Sequence, residues 1–181
     1  MQSTLNNCAN LAENYENWKR KSNPIYTNPW IDILENNTYY TVEHKEGQAM
    51  ILPVVQNSYI VLVKAKREVL GDSVWELPAG GAEKNESFPE TARRELAEET
   101  GISVNEISRF KPYPSLVLSS NRMPMFPNIF HIDLTMNEFT TKMAPDGEVD
   151  KVKIFDFNAI KKLICNGQLC ATLPIAVISR F

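Results

Sequence analysis

The chain has few of the residues that build disulfide frameworks and zinc sites. Among its 181 residues there are three cysteines, Cys8, Cys165 and Cys170, and two histidines. An odd number of cysteines without a C-x-x-C pair predicts free thiols in a reducing compartment. His44 and His131 stand alone in strand-like stretches, so we interpret them as strand residues and not as metal ligands.

The chain also lacks an excess of basic residues and any long apolar run. It carries 19 lysines and arginines against 22 acidic residues, and its formal charge is -3, which excludes a broad basic surface for nucleic-acid phosphates. The stretch up to Lys21 has no apolar segment of the kind that a secretory signal needs, and no stretch approaches the length of a membrane span. We therefore predict a cytoplasmic protein that binds neither nucleic acid nor membrane.

The patterns that are present belong to one domain of ordinary size. Residues 1–45 are predicted to form an N-terminal arm and β-segment, and residues 46–181 the main domain. Residues 51–55 and 59–63 are short apolar runs joined by a polar turn, which predicts a hairpin or a meander. Pro53 either argues against a strand for the first run or places that strand at a sheet edge. Strands mixed with helices in no strict alternation predict an α+β fold. Further strands are expected at residues 38–44, 104–110, 128–136 and 151–157, a polar loop at 137–150, and helices at 160–165 and 171–178. The segment up to Lys21 is expected to be a polar helix or a loosely held arm.

The clearest helix begins at Ser87 and ends at Gly101. Ser87 and Glu90 have the spacing of a capping box, Pro89 suits the first helical turn, and Gly101 is a typical helix stop. Apolar residues recur every four positions and predict one core-facing stripe, namely Phe88, Ala92 and Leu96.

Three glutamates share one face of this helix. Glu95, Glu98 and Glu99 stand at positions i, i+3 and i+4, and Glu95 and Glu99 border the apolar stripe, so we expect them to be partly buried. Like charges at this spacing repel each other, and burial adds to the cost. A hard divalent cation with oxygen ligands removes that cost. A solvated acidic face is the alternative for such a helix taken alone.

The surrounding pattern favours the metal site. Residues 80–102 read GGAEKNESFPETARRELAEETGI and fit G-x5-E-x7-R-E-U-x-E-E-x-G-U, where U is a bulky aliphatic residue, at every specified position. From average residue usage, a chance match per starting position is on the order of 10⁻¹⁰. The segment resembles a complete Nudix box. The preceding run, Trp75-Glu76-Leu77-Pro78-Ala79-Gly80, is similar to the approach to the box in the ADP-ribose pyrophosphatase group of Nudix hydrolases.

Two weaker similarities extend the resemblance over most of the chain from Asn28 onward. Asn28-Pro29-Trp30-Ile31 is similar to that group's N-terminal strand entry, and Arg67 stands where the group has an arginine. The resemblance implies a Nudix α/β/α sandwich with an N-terminal β-rich extension, assembled as a homodimer. It also implies Mg²⁺-dependent hydrolysis of the diphosphate linkage of an ADP-ribose-like or GDP-mannose-like nucleotide sugar, giving a nucleoside monophosphate and a sugar phosphate.

The resemblance also assigns roles to box residues. It implies that the Ala79 carbonyl and the carboxylates of Glu95, Glu98 and Glu99 hold Mg²⁺, with Mn²⁺ as an alternative, and that Glu95 and Glu99 take part in catalysis. The cation would polarise phosphoryl oxygens and lower the pKa of the attacking water. The residues that support the box in this reading are Gly80, Glu86, Arg94 and Gly101, with Glu86 and Arg94 forming an ion pair.

A further carboxylate must accept the proton of the attacking water. In the ADP-ribose pyrophosphatase group this base lies on a loop before the last strand, and the matching segment here favours Glu148, with Asp150 in reserve. Arg67 and Arg122 are candidates for binding substrate phosphate, with a surface charge as the alternative for each. Trp75 and Tyr113 are candidates for stacking on a base, and core packing is the alternative.

The chain departs from the group pattern in ways that bear on the substrate. Asn85 replaces a glycine before Glu86, Ala65 replaces a glutamine, and Tyr113-Pro114-Ser115 lacks the glycine of the group's S-P-G run. The last difference leaves the sugar open. Two other readings remain: a Nudix pyrophosphatase for nucleoside triphosphates or dinucleoside polyphosphates, and a non-catalytic nucleotide-sensing domain. Such a sensor is expected to lose box carboxylates, and none is missing here.

Overall fold

The protein is described by a computed structural model of residues 2–181, with side chains from residue 10 onward. It divides into two compact units. The N-terminal unit comprises the described residues up to Gly47 together with Pro114–Asn128, and the larger unit comprises Gln48–Tyr113 and Ile129–Phe181.

The N-terminal unit combines helix α1 with an antiparallel three-stranded sheet in the order β1-β2-β3. Lys19, in the last turn of α1, forms an ion pair with the buried carboxylate of Glu43 at 2.9 Å, and the Tyr15 hydroxyl donates a hydrogen bond to the same carboxylate. These contacts fasten the helix to the sheet. The elements are α1 (Gln2–Lys19), β1 (Asn23–Thr27), β2 (Ile31–Asn36) and β3 (Tyr39–His44).

The larger unit is built on a seven-stranded sheet whose main path runs β10-β5-β4-β9-β8, with β6 paired to β5 and β7 paired to β4. Its strands are β4 (Gln48–Val55), β5 (Tyr59–Arg67), β6 (Asp72–Glu76), β7 (Ala79–Gly81), β8 (Lys111–Tyr113), β9 (Asn128–Leu134) and β10 (Val149–Phe155). Its helices are α2 (Phe88–Thr100), α3 (Met136–Thr140), α4 (Phe157–Cys165) and α5 (Thr172–Ile178).

Both faces of the sheet are buried around β4. Residues two apart in a strand share a face. Ile51 and Val55 on one face pack in the same core cluster as Leu96 of α2. Leu52 and Val54 point to the other face, and both are fully buried. A mixed sheet with helices confirms the predicted α+β class.

The expectation that Pro53 marks an edge strand was wrong, because β4 lies between β5 and β9. The reason is a change of partner along one side of the strand. Residues 48–50 pair with β7, whereas Val54 and Val55 pair with β5. Pro53 falls between these two ladders, where a missing N–H donor does little harm.

The predicted hairpin at residues 51–63 is confirmed, with Gln56 and Asn57 in the left-handed conformation at φ 50° and 52°. The strand predicted at 104–110 was wrong. There the chain is irregular and then forms a short 3₁₀ turn at Ile107–Arg109. The apolar side chains of this stretch, Val104 and Phe110, are buried without strand pairing. The apolar pattern that was taken for a strand therefore reflects burial in the core.

The boundary predicted after β9 was also wrong. Residue 136 begins α3 and does not continue the strand, and the expected loop at 137–150 therefore starts as a helix. Thr135 caps α3 by accepting from the Glu138 N–H, and the Glu138 carboxylate accepts from the Thr135 N–H in return. Similarly, Asp156 caps α4 and ends β10 before Phe157.

Two further sequence expectations concern the chain as a whole. No helix in the described part is both long and apolar enough to cross a membrane. Cys165 and Cys170 are exposed free thiols, and the side chain of Cys8 lies outside the described residues.

Candidate functional site

A loop after β7 leads into α2 and orients its first turn. The Glu90 carboxylate accepts hydrogen bonds from the N–H and the hydroxyl of Ser87 at 2.9 and 2.6 Å, as the capping-box spacing predicts. Asn85 adopts the left-handed conformation at φ 69°, which explains why asparagine is tolerated in place of a glycine. Gly101 ends the helix at φ 74°.

Arg94 joins the loop to the acidic face of α2. Its Nε and Nη2 donate to both oxygens of Glu86, at 3.1 and 3.0 Å. Its Nη2 also donates to the Gly81 carbonyl at 2.7 Å, while Nη1 contacts Glu95 Oε1 at 2.7 Å and Glu98 Oε2 at 2.9 Å. The paired guanidinium lowers the pKa of Glu86 to about 2. The Arg94 guanidinium therefore holds together the loop and two of the three box carboxylates, Glu95 and Glu98.

Glu95 and Glu99 are buried, with 8% and 9% of their surfaces exposed. Desolvation raises the pKa of Glu95, and it raises the pKa of Glu99 to about 8. Glu99 Oε2 accepts a hydrogen bond from the Ala79 N–H at 2.9 Å, which links the helix to β7. A Cβ atom added at Gly80 would collide with the Glu95 carboxylate, so position 80 has room for glycine alone without a shift of that side chain.

These residues are chemically suited to a hard divalent cation. Carboxylate and carbonyl oxygens are the ligands that such cations prefer, and two of the carboxylates carry the cost of burial that a cation would remove. Among the described residues, no three His, Cys, Asp or Glu side chains form a ready-made ligand cluster. The oxygens of Glu95 and Glu98 instead contact Arg94, and Glu99 contacts the Ala79 amide.

Arg67 lies beside this acidic pair. Its guanidinium binds Glu76 in a two-pronged ion pair, with Nη2–Oε2 at 2.5 Å and Nε–Oε1 at 3.2 Å. The hydrogen bond to Glu76 raises the pKa of Arg67, and the negative charges of Glu99 and Glu148 add to this effect. The Arg67 side chain is 40% exposed, and its Nη1 takes no part in the ion pair with Glu76.

The loop between α3 and β10 brings Glu148 to the same region. Glu148 is exposed, and its carbonyl accepts from the Lys66 N–H of β5 at 3.1 Å. Asp150, the reserve candidate, is held by the Ser73 hydroxyl and by Lys66 Nζ at 3.3 Å. These contacts, first among them the Ser73 hydrogen bond, lower the pKa of Asp150.

Other candidates lie away from the box carboxylates or are buried. Trp75 is 6% exposed and packs edge-on against Phe155 at 4.9 Å between ring centroids, which favours the core-packing alternative. Tyr113 is half-buried and lies tilted against His131. Arg122 belongs to the N-terminal unit, where its Nη1 donates to the Tyr40 carbonyl at 3.3 Å.

Sequence reasoning overlooked Glu76, Lys66 and Asp146. Glu76 stands in the run before the box, but its pairing with Arg67 depends on the register of β5 against β6. Lys66 meets the loop because β5 pairs with β10. Asp146 precedes Gly147, and this pair is a recognisable turn signal in the sequence.

Known proteins share this sequence pattern and this fold. The sequence profile of the NUDIX domain matches residues 45–169. The chain belongs to the Nudix family. Its fold is similar to that of a solved structure described as an ADP compounds hydrolase, with a TM-score of 0.61, 15% sequence identity and 86% of each chain covered.

Curated relatives agree with the family and differ in activity. The chain is 36% identical over 67 residues to an ADP-ribose pyrophosphatase of Bacillus subtilis (strain 168), covering 37% of this chain and 36% of that protein. It is 38% identical over 61 residues to a methanol dehydrogenase activator of Bacillus methanolicus, covering 34% and 33%. It is 24% identical over 144 residues to the m7GpppN-mRNA hydrolase NUDT17 of Xenopus laevis, covering 72% and 49%. The chain thus spans between a third and a half of the length of these relatives.

Proposed function

We propose that this protein hydrolyses the diphosphate linkage of an ADP-ribose-like or GDP-mannose-like nucleotide sugar, releasing a nucleoside monophosphate and a sugar phosphate. The observation that carries the proposal is the buried pair Glu95 and Glu99 behind Gly80, with Glu98 beside them on the same helix. Burial of two carboxylates is costly unless a positive partner compensates it. A diphosphate bound through divalent cations supplies the matching chemistry.

The proposed cofactor is Mg²⁺, with Mn²⁺ as an alternative. Enzymes of the family generally use divalent metal ions. The residues that would hold the ion are Ala79, through its carbonyl, and Glu95, Glu98 and Glu99. When bound, the ion supplies polarisation of the phosphoryl oxygens and a lower pKa for the attacking water.

Arg67 is proposed to bind the diphosphate. Its ion pair with Glu76 fixes the guanidinium plane through Nε and Nη2, and Nη1, outside that pair, is a candidate donor to phosphate oxygens on a side chain that is 40% exposed. Because it already lies within electrostatic reach of Glu99, it places substrate charge next to the box carboxylates. Trp75 and Arg122 are weaker substrate-binding candidates, since the first is buried and the second is hydrogen-bonded within the N-terminal unit.

Glu148 is proposed as the general base. It is exposed and its carboxylate has freedom to reach a water molecule, whereas Asp150 is engaged by Ser73 and Lys66. The lowered pKa of Asp150 also makes it the weaker proton acceptor. These contacts support Glu148 over the reserve candidate.

A second candidate substrate is a capped or dinucleoside polyphosphate. The m7GpppN-mRNA hydrolase matches a larger part of this chain than the ADP-ribose pyrophosphatase does, although at lower identity. The net charge of -3 weighs against a long nucleic-acid partner but not against a small polyphosphate. A non-catalytic sensor is less favoured, since every box carboxylate is present.

The proposal is tested by incubating the purified protein with ADP-ribose, GDP-mannose, a dinucleoside polyphosphate and ATP, each with Mg²⁺ or Mn²⁺, and identifying the phosphorylated products. Replacing Glu99 by Gln should reduce turnover by about 10²-fold or more, and Glu148→Gln should lower kcat with unchanged cation affinity. Glu106→Gln, an exposed site in the same unit, serves as control. If ADP-ribose and GDP-mannose both stay intact, the proposed function is wrong, and cleavage of the dinucleoside polyphosphate alone would favour the second candidate.

Two expectations about assembly and location also remain proposals. The N-terminal unit exposes the large apolar side chains of Ile25, Tyr26 and Trp30 at 53%, 51% and 73%, and such exposure fits a homodimer contact. A cytoplasmic location fits the free thiols of Cys165 and Cys170. Light scattering of the wild type and of Trp30→Ser tests the first, and a monomeric wild type would contradict it.

A further inference from the structure

We propose that Asp146 is a positioning residue that sets the place of Glu148 relative to the box helix. The inference rests on the proposed function, because it takes Glu148 as the base. Asp146 was not among the sequence-based candidates. It positions Glu148 through two different groups, its backbone N–H and its carboxylate.

The loop before β10 is attached to the C-terminal end of α2. The last carbonyl groups of a helix have no partner within the helix. Here the Asp146 N–H donates to the Glu98 carbonyl at 2.8 Å, and the Met143 N–H donates to the Gly101 carbonyl at 2.9 Å. The fit is close, because a Cβ atom at Gly101 would collide with the Met143 carbonyl. The loop therefore follows the end of the helix that carries the box carboxylates.

The Asp146 carboxylate then turns the chain toward Glu148. Its Oδ1 accepts a hydrogen bond from the Glu148 N–H at 3.2 Å, as in turns that an aspartate closes on the backbone two residues ahead. Beyond this turn the Glu148 carbonyl accepts from the Lys66 N–H, which joins the loop to β5. Glu148 is thus held from both sides, by Asp146 and by the strand.

Asp146 connects two segments of backbone through hydrogen bonds, and this connection does not depend on an ion pair. Its N–H is bonded to the backbone of Glu98, and its carboxylate is bonded to the backbone of Glu148. Asp146 therefore links the backbone of the proposed base to the backbone of Glu98, one of the proposed cation ligands. A catalytic group displaced by about 1 Å can lose about 10²-fold in rate.

The side-chain part of this role is tested by Asp146→Ala and Asp146→Asn. Asparagine keeps an oxygen that accepts the Glu148 N–H, whereas alanine does not. We expect Asp146→Ala to lower kcat by about tenfold or more with KM within about twofold, and Asp146→Asn to stay within about threefold of wild type. In the Glu148→Gln background, Asp146→Ala should change kcat by less than about twofold, because its effect acts through Glu148.

Two controls separate positioning from general stability. Gly147→Ala alters the same loop where an added Cβ meets nothing within 4 Å. Asp156→Ala removes the same type of bond, from the Ala159 N–H at 2.7 Å, at the start of α4. Both should keep kcat near the wild-type value. Hydrogen exchange at the Glu148 amide, measured by NMR, should accelerate in Asp146→Ala and remain slow in Asp146→Asn.

The outcomes discriminate between the two proposals. If Glu148→Gln has a lowered kcat while Asp146→Ala keeps a normal kcat, the positioning role is overturned and the base assignment stands. The same holds if Asp146→Asn loses as much as Asp146→Ala, or if the loss persists in full in the Glu148→Gln background. A normal kcat in Glu148→Gln overturns the base assignment and the positioning role together.

Discussion

Replacing Glu99 by Gln removes a buried charge while keeping an oxygen for the Ala79 N–H. The pKa of Glu99 is raised from 4.5 to about 8, mainly by desolvation. The folded state therefore binds a proton more tightly than the unfolded state does. The stability that the protonated form provides is fully present below pH 4.5 and is lost as pH rises toward 8.

The size of the effect follows from the shift. Each pKa unit corresponds to about 1.4 kcal/mol, so the free energy of unfolding of the wild type should fall by about 4 kcal/mol between about pH 5 and pH 9 on account of Glu99. Glutamine does not titrate, so the Glu99→Gln protein lacks this loss. At the alkaline end we expect the variant to be more stable than the wild type, although it is proposed to be inactive.

The assay is urea unfolding of both proteins across this pH range, with EDTA present so that no cation compensates the charge. Distant titrating groups contribute equally to the free energies of unfolding of both proteins, so their contribution drops out of the difference. Adding Mg²⁺ should stabilise the wild type at neutral pH and have a smaller effect on the variant. A difference that stays constant from pH 5 to pH 9 would refute the reasoning.

Two further predictions concern glycines of the box. Gly80→Ala should force the Glu95 carboxylate out of its place and weaken Mn²⁺ binding measured by calorimetry, with unchanged Mn²⁺ affinity as the contradicting result. Gly101→Ala combines a left-handed backbone with a collision against the Met143 carbonyl, so we expect a loss of more than about 1 kcal/mol in the free energy of unfolding, measured with urea. A variant as stable as the wild type would show that the loop is free to move away.

The box helix was predictable because its signals are local. Ser87, Glu90 and Gly101 fix its ends by bonds within a few residues, and the four-residue spacing of apolar side chains selects the buried face. The same geometry places Glu95 and Glu99 at the border of that face, and both are indeed buried. Local spacing is sufficient for such features.

Features that depend on register were not predictable. The pairing of Arg67 with Glu76 requires the alignment of β5 with β6, and the contact between Lys66 and Asp150 requires that of β5 with β10. The 3₁₀ turn at Ile107–Arg109 was mistaken for a strand, because short apolar runs do not distinguish pleated from irregular burial. The cap of α3, by contrast, was present in the sequence as T-x-x-E and was overlooked.

The five hydrogen bonds of the Arg94 guanidinium also bear on how strongly a cation is retained. Glu95 Oε1 and Glu98 Oε2 both accept hydrogen bonds from Arg94 Nη1, so a divalent ion would compete with the guanidinium for these two atoms. Binding of the ion would then replace one positive partner of these carboxylates by another. The favourable free energy of ion binding would be smaller than at three carboxylates without a neighbouring guanidinium. Under the proposed function, such a site favours reversible occupancy, because the negative charge of an arriving diphosphate would add to the attraction for the ion.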